Sequence, residues 1–192
     1  MKRILTISLI IFFCASMTLG GEKRPYDFRK AKWGMTKEQV KKIEQVKPTY
    51  EKGNVLGYKD KVLGLSFLVG YIFDENGKLK SGSYILEKRL DELDYYVKAY
   101  KKLKKFLTKK YGTPYKEKVT WKNTRFKGKY AEGFAVFHGH LEYISAWETE
   151  GMHMGLTLKG GNFKSDLHLF YFPGKPLVEK VIVEEEDTQG KL

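Results

Sequence analysis

Glycine-containing turns divide the second half of the chain into short apolar and aromatic segments. Such segments, separated by turns, are typical of antiparallel strands joined by short hairpins. Short connections of this kind favour meanders over crossovers. We predict strands at 121–126, 130–137, 141–147, 152–158 and 167–172, with 177–183 as a candidate for a last strand.

The first half of the chain begins with a short helix and continues into strands. Thr36 and Gln39 have the spacing of a capping box, which predicts a helix over 37–46 that ends before Pro48. Residues 55–86 contain apolar and aromatic runs on both sides of Asp74-Glu75-Asn76-Gly77, and such a pair of runs predicts a hairpin.

The clearest helix in the sequence covers residues 91–111. Apolar residues recur there at helical spacing and form one face, while Asp91 can cap the start and Gly112 can end the helix. The order helix, three strands, helix, four or five strands predicts an α+β fold. We expect an antiparallel sheet, or sheets, of about seven or eight strands, with two helices packed on one face. The order also fits a degenerate duplication of a helix-plus-meander unit.

The N-terminal twenty residues have the layout of a secretory signal peptide. Lys2 and Arg3 precede an apolar run that is shorter than the ~20 residues of a membrane-spanning helix. We therefore expect cleavage near Gly20, export to the periplasm, and a mature chain without a transmembrane segment. The domains are then a signal peptide at 1–20, one α+β domain at 21–183 and a flexible acidic tail at 184–192.

The only cysteine, Cys14, lies inside this predicted signal peptide. A lipoprotein has a small residue directly before its acylated cysteine, whereas Phe12 and Phe13 precede Cys14. We therefore expect a cleaved signal rather than a lipid anchor. The mature chain would contain no thiol, which excludes thiol catalysis and disulfides.

The chain is strongly basic, with a formal net charge of +13 that comes mostly from lysine. Such a charge favours anionic partners, although it is also compatible with a simple role in solubility. An exported protein seldom meets nucleic acid, so nucleic acid is not an expected partner. The candidate binding residues form a lysine arc on the second predicted helix, nearly opposite its apolar face: Lys98, Lys101, Lys102, Lys105 and Lys109. The alternative interpretation of this arc is an ordinary solvated surface.

The sequence contains no nucleophile elbow, phosphate-binding glycine loop or His-Glu-x-x-His motif, and we predict no catalytic residue, metal site or cofactor. Met152, His153 and Met154 could bind a soft metal. On a strand, however, the methionines point to one face and the histidine to the other, which favours core packing. Three acidic residues around Trp147 could act in glycoside chemistry, or could be solvated strand residues: Glu142, Glu148 and Glu150.

Aromatic residues are abundant, and most of them should pack in the core. Any that remain exposed on the sheet would form a patch for a partner. The residues considered are Tyr84, Tyr95, Tyr130, Phe134, Phe137, Tyr143, Phe170, Tyr171 and Phe172.

Two short segments resemble known exported bacterial domains. The stretch Trp33-Gly34-Met35-Thr36, followed by Gln39 and Val40, resembles the start of the first helix in small outer-membrane assembly lipoproteins of the SmpA/OmlA type and in β-lactamase-inhibitor-protein-like domains. The helix end at 109–114, which a Trp-containing strand follows, is similar to that of uncharacterised exported proteins of this kind. The resemblance implies a scaffold that binds other proteins and has no enzymatic activity.

We therefore expect an exported, non-enzymatic protein that contacts a protein or another envelope component. Two alternatives stay open. The lysine arc could bind anionic lipid or glycan, or the carboxylates around Trp147 could serve a hydrolase.

Overall fold

The computed structural model describes residues 26–87, 92–149 and 151–174. The predicted signal peptide, Asp91, Glu150, the candidate strand at 177–183 and the tail at 184–192 lie outside these residues. None of the predictions about the signal peptide, Glu150, the last candidate strand and the tail is therefore addressed by the structure. The helix predicted over 91–111 begins later than predicted, at Asp94, and its cap residue Leu93 makes no side-chain hydrogen bond.

The described residues form three α-helices and eight strands. The helices are α1 (Lys37–Glu44), α2 (Asp94–Tyr111) and α3 (Glu132–Phe137). The strands are β1 (Tyr50–Lys52), β2 (Val55–Val62), β3 (Leu65–Phe73), β4 (Leu79–Leu86), β5 (Lys116–Trp121), β6 (Leu141–Thr149), β7 (Met152–Gly161) and β8 (Lys164–Phe172).

All eight strands belong to one antiparallel sheet, in the order β1-β2-β3-β4-β8-β7-β6-β5. This arrangement confirms the predicted α+β fold and the predicted number of strands. Each half of the chain is a four-stranded meander that follows a helix, and the last strands of the two meanders, β4 and β8, pair with each other. The two halves thus share one order of main elements, and their origin by duplication stays a hypothesis.

Two of the predicted strands are wrong. Residues 130–137 contain α3 instead of a strand, and 121–126 contains the last residue of β5 followed by a 3₁₀ turn at Thr124–Phe126. The short apolar run at 134–137 suits either structure, and contacts distant in sequence favour the helix. A Cβ atom at Gly133 would lie 2.5 Å from Asp94 Oδ1, so only glycine lets α3 approach the start of α2 this closely.

The predicted capping box at the start of α1 is confirmed. The Gln39 backbone N–H donates to Thr36 Oγ1 at 3.3 Å, and the Thr36 N–H donates to Gln39 Oε1 at 2.8 Å. The helix ends at Glu44, slightly earlier than predicted, because Gln45 adopts the left-handed conformation with φ 58°. Gly112 ends α2 as predicted.

Alternate residues of the strands build the hydrophobic core on one side of the sheet, here called the core face. On β3 these residues include Phe67, Val69 and Tyr71, and the pairing register continues the same face into β8, β7 and β6. The Tyr100 and Ser145 hydroxyls, from α2 and β6, are hydrogen-bonded at 2.7 Å. Tyr71 donates to Glu44 of α1. Both contacts lie on the core face.

An ion-pair network attaches the N-terminal segment to the sheet. Arg29 Nε and Nη2 donate to the two carboxylate oxygens of Glu44, at 2.8 and 3.1 Å, and Nη1 donates to Asp60 on β2. The bidentate geometry fixes the guanidinium plane as well as its position. Although burial opposes the shift, the hydrogen bond from Arg29 lowers the pKa of Asp60. The network holds α1 and the N-terminal segment against β2 and β3.

We expect Thr36→Ala to lower the free energy of unfolding by about 1 kcal/mol, because the variant leaves helix N–H groups without their acceptor. The measurement is a urea unfolding curve of the purified protein. Lys42→Ala, at an exposed position of the same helix, is the control and should keep its midpoint. A midpoint for Thr36→Ala equal to that of the control would contradict the capping role.

We expect Gly82→Ala to be more damaging, at about 1–3 kcal/mol, because the added Cβ would lie 2.3 Å from the Phe28 ring. Gly82 is on β4, and its pairing partner on β8 is Tyr171. The neighbouring Ser81→Ala, which adds no volume, should unfold close to the wild-type midpoint. Equal midpoints for the two variants would show that Phe28 moves aside at little cost.

Candidate binding surface

The lysine arc lies along α2, and several of its members are bound to the protein itself. Lys98 Nζ lies 2.7 Å from Glu92 Oε1, Lys101 Nζ lies 2.6 Å from Glu132 Oε2, and Lys102 Nζ donates to the Leu63 carbonyl at 2.6 Å. Lys105 and Lys109 are exposed. The two carboxylates offset part of the positive charge of the arc, which weakens its attraction for an anion. Binding through the arc stays a prediction.

Glu142 and Glu148, the two acidic residues near Trp147 that the structure describes, do not converge on one site. Trp147 is buried on the core face, where its Nε1 donates to the Gly112 carbonyl at 3.0 Å. Glu142 and Glu148 lie on the other face and are six residues apart, which on a strand amounts to ~20 Å. A glycosidase pair requires a separation of about 5–9.5 Å. Glu142 also pairs with Lys122 at 2.7 Å, and this pair of glutamates offers no support for the hydrolase alternative.

The methionines at 152 and 154 are buried in the core, and His153 lies on the opposite face of β7, as the alternation predicted. His153 Nε2 is 3.8 Å from Glu148 Oε1. Across the described ranges, no group of three or more His, Cys, Asp or Glu side chains is placed to hold a metal ion.

The second side of the sheet, here called the outer face, carries the remaining alternate residues. Two cross-strand rows run over it from β3 to β6. The first row is Leu68, Ile85, His168, Thr157 and Ile144. The second row is Gly70, Ser83, Phe170, Gly155 and Ala146.

The outer face carries a partly exposed apolar patch over the three strands β3, β4 and β8. This outer patch consists of Leu68, Ile72, Ile85, His168 and Phe170. Leu68 is 42% exposed, and the other four side chains are partly exposed. In the second row Phe170 lies between two small residues, Ser83 and Gly155.

His168 keeps the outer patch uncharged at neutral pH. Its ring packs edge-on against Phe170, with centroids 5.5 Å apart. Burial lowers the pKa of His168 below its ordinary value of 6.5, although the nearby Asp166 opposes the shift. The imidazole is therefore neutral at pH 7 and behaves as part of the apolar surface.

Charged residues surround the outer patch, and lysines are the majority among them. Lys59 pairs with Glu87 at 2.9 Å, and Lys61 is exposed on the same strand. The pairing register places seven lysines on the outer face: Lys52, Lys59, Lys61, Lys116, Lys118, Lys159 and Lys164. It places three acidic residues there, Glu142, Glu148 and Asp166, which Glu87 joins at the end of β4.

Sequence reasoning found only one member of the outer patch, Phe170, among the aromatic residues considered for an exposed sheet surface. Tyr84, Tyr143 and Tyr171 lie on the core face instead. Leu68, Ile72 and Ile85 were missed because each is an ordinary strand residue on its own. The alternation within β3 places Leu68 and Val69 on opposite faces of the sheet. Only the register shows that Leu68 shares a cross-strand row with Ile85 and His168.

Comparison of the chain with protein-family models, with curated proteins and with solved structures found no match to any of them. Among the residues that the structure describes, no helix is both long enough and apolar enough to pass through a membrane.

Proposed function

We propose that this protein is an exported, non-enzymatic binding protein that holds a partner protein on its outer patch. The observation that carries the proposal is the exposed apolar surface across β3, β4 and β8. Export is supported by the composition of residues 1–20. The resemblance of the first helix to exported scaffolds agrees with this function.

The anatomy of the outer face is that of a protein interface. An apolar centre with an aromatic ring is surrounded by a charged rim, the arrangement common in protein–protein complexes. Eight strands at a spacing of about 4.8 Å make the sheet roughly 34 Å wide. The outer patch occupies three of these strands, and the lysines of the rim lie on strands at both sides of it.

The charges of the rim define the chemistry of the partner. Because lysines outnumber acidic residues on the outer face, we expect the partner to present an apolar centre with acidic flanks. A second copy of this chain fits less well. A two-fold dimer brings the same surface of both copies together, so the lysine-rich rims would face each other.

Photo-crosslinking from the outer patch tests the proposal. Leu68→Cys, labelled with a photoreactive maleimide, should crosslink a protein from a solubilised envelope fraction of the source cell. Val119→Cys is the matched control, because Val119 is 50% exposed but lies on β5, on the side of the sheet opposite to Leu68. Crosslinks from both positions, to a second copy only, or only within the chain would contradict the proposal.

Binding of the purified partner provides the quantitative test. We expect Leu68→Glu to weaken the affinity by about tenfold or more, because it places a charge in the apolar centre opposite acidic flanks. Val119→Glu makes the same change away from the patch and should retain wild-type affinity. A wild-type dissociation constant for Leu68→Glu, with both variants folded by circular dichroism, would overturn the assignment of the patch.

A further inference from the structure

A second exposed cluster lies away from the outer patch, where the β7–β8 hairpin turns beside α3. It is a chain of aromatic and histidine rings, here called the aromatic end: Phe126, Tyr130, Phe134, Phe137, His138, His140 and Phe163. Neighbouring rings are in contact throughout. Tyr130 and Phe134 stack with centroids 5.0 Å apart, and Phe134 and His138 lie 4.0 Å apart. His138 then contacts Phe163 at 5.3 Å.

Close backbone packing holds the hairpin and α3 together. A Cβ atom at Gly160 would lie 1.8 Å from the Val136 carbonyl oxygen, so β7 and the end of α3 touch directly at this glycine. Gly139 follows α3 and approaches the Gly160 carbonyl as well. The rings of α3 and of the hairpin therefore form one rigid surface.

Phe163 has the conformation that a turn glycine would normally supply. Asn162 and Phe163 form the turn with φ of 48° and 59°, and at the second position glycine is the favoured residue. The Phe163 side chain is nevertheless 67% exposed. The left-handed conformation is strained for a large side chain, and the ring contacts with Phe137 and His138 leave most of that side chain in solvent. Its presence at the tip is better explained by a contact outside the chain.

Basic residues alternate with the aromatic residues of this surface. Arg125, Lys127 and Lys129 are exposed and flank Phe126 and Tyr130, and Lys164 follows Phe163. Tyr130 is 52% exposed. Two nearby carboxylates are already bound to lysines, Glu132 to Lys101 at 2.6 Å and Glu142 to Lys122 at 2.7 Å. The exposed charges between the rings are therefore positive.

We propose that the aromatic end binds the surface of anionic lipid bilayers, with Phe163 and Tyr130 inserted among the headgroups and Arg125, Lys127, Lys129 and Lys164 against the phosphates. Tyrosine rings favour the bilayer interface. Each basic residue near an anionic surface adds to the attraction. Phe163 offers only hydrocarbon, which suits acyl chains better than sugar hydroxyls. A glycan site would also need free acceptors, and Glu132 and Glu142 are engaged. The proposal does not depend on the function of the outer patch.

Cosedimentation of the full chain with lipid vesicles tests this assignment. The vesicles contain either phosphatidylcholine alone or phosphatidylcholine with 30% phosphatidylglycerol, at low and high salt. We expect the protein to sediment with the anionic vesicles only, and binding to fall at least fivefold at high salt because exposed charges are screened. Equal sedimentation with both kinds of vesicle, or with neither, would overturn the proposal.

Two variants address the rings and the charges separately. Phe163→Gly should reduce vesicle binding at least fivefold while its urea midpoint stays the same or rises, since glycine suits this turn. Lys127→Glu with Lys129→Glu should reduce binding by at least as much. Phe106→Ser is the control for the ring, because Phe106 is 40% exposed but lies on α2. Lys105→Glu with Lys109→Glu on the lysine arc is the control for the charges.

The assignment holds if only the variants of the aromatic end lose binding. If instead the lysine-arc variant loses binding and Phe163→Gly does not, the arc is the lipid site and the proposal is wrong. If Phe163→Gly binds the vesicles as tightly as the wild type, insertion of the ring is excluded, whatever the charge variants do.

Discussion

The pairing of β4 with β8 is the contact on which the rest of the structure depends. It joins two four-stranded meanders into one sheet through only four paired positions, from Gly82 with Tyr171 to Ile85 with His168. The outer patch lies across this seam, because Leu68, Ile72 and Ile85 come from the first meander and His168 and Phe170 from the second. Neither half of the chain contains the patch alone.

The core face reinforces the seam with aromatic packing. Phe28 contacts Tyr71, Tyr84 and Tyr171, with ring centroids between 5.1 and 5.4 Å apart, so a residue from the N-terminal segment touches both meanders. Gly82 leaves the space that this ring occupies. Arg29, the next residue, adds its ion pairs to Glu44 and Asp60. Aromatic rings and the contacts of Tyr71 and Tyr100 thus connect both meanders on the core face, while the outer patch lies on the opposite face.

Local signals predicted much of this fold, and contacts distant in sequence decided the rest. The capping box at Thr36, the apolar stripe of α2 and the alternation at Met152 and Met154 depend on neighbours a few residues away, and they could be read from the sequence. The helix α3 could not, because it depends on Gly133 against Asp94 and on Gly160 against Val136. The outer patch could not be predicted without the strand register. The helical spacing that defined the lysine arc gave no information about the partners of Lys98, Lys101 and Lys102.

The seam also determines when the binding surface can exist during folding. Of the neighbouring strands in this sheet, β4 and β8 are the pair farthest apart along the chain, with α2, α3 and three strands between them. Contacts of such long range form late, after the cost of closing the loop has been met. Until β8 arrives, β4 is an unpaired edge that can join other strands. The protein therefore completes its outer patch and pairs the exposed edge of β4 in the same late step, which only a chain complete through β8 can take.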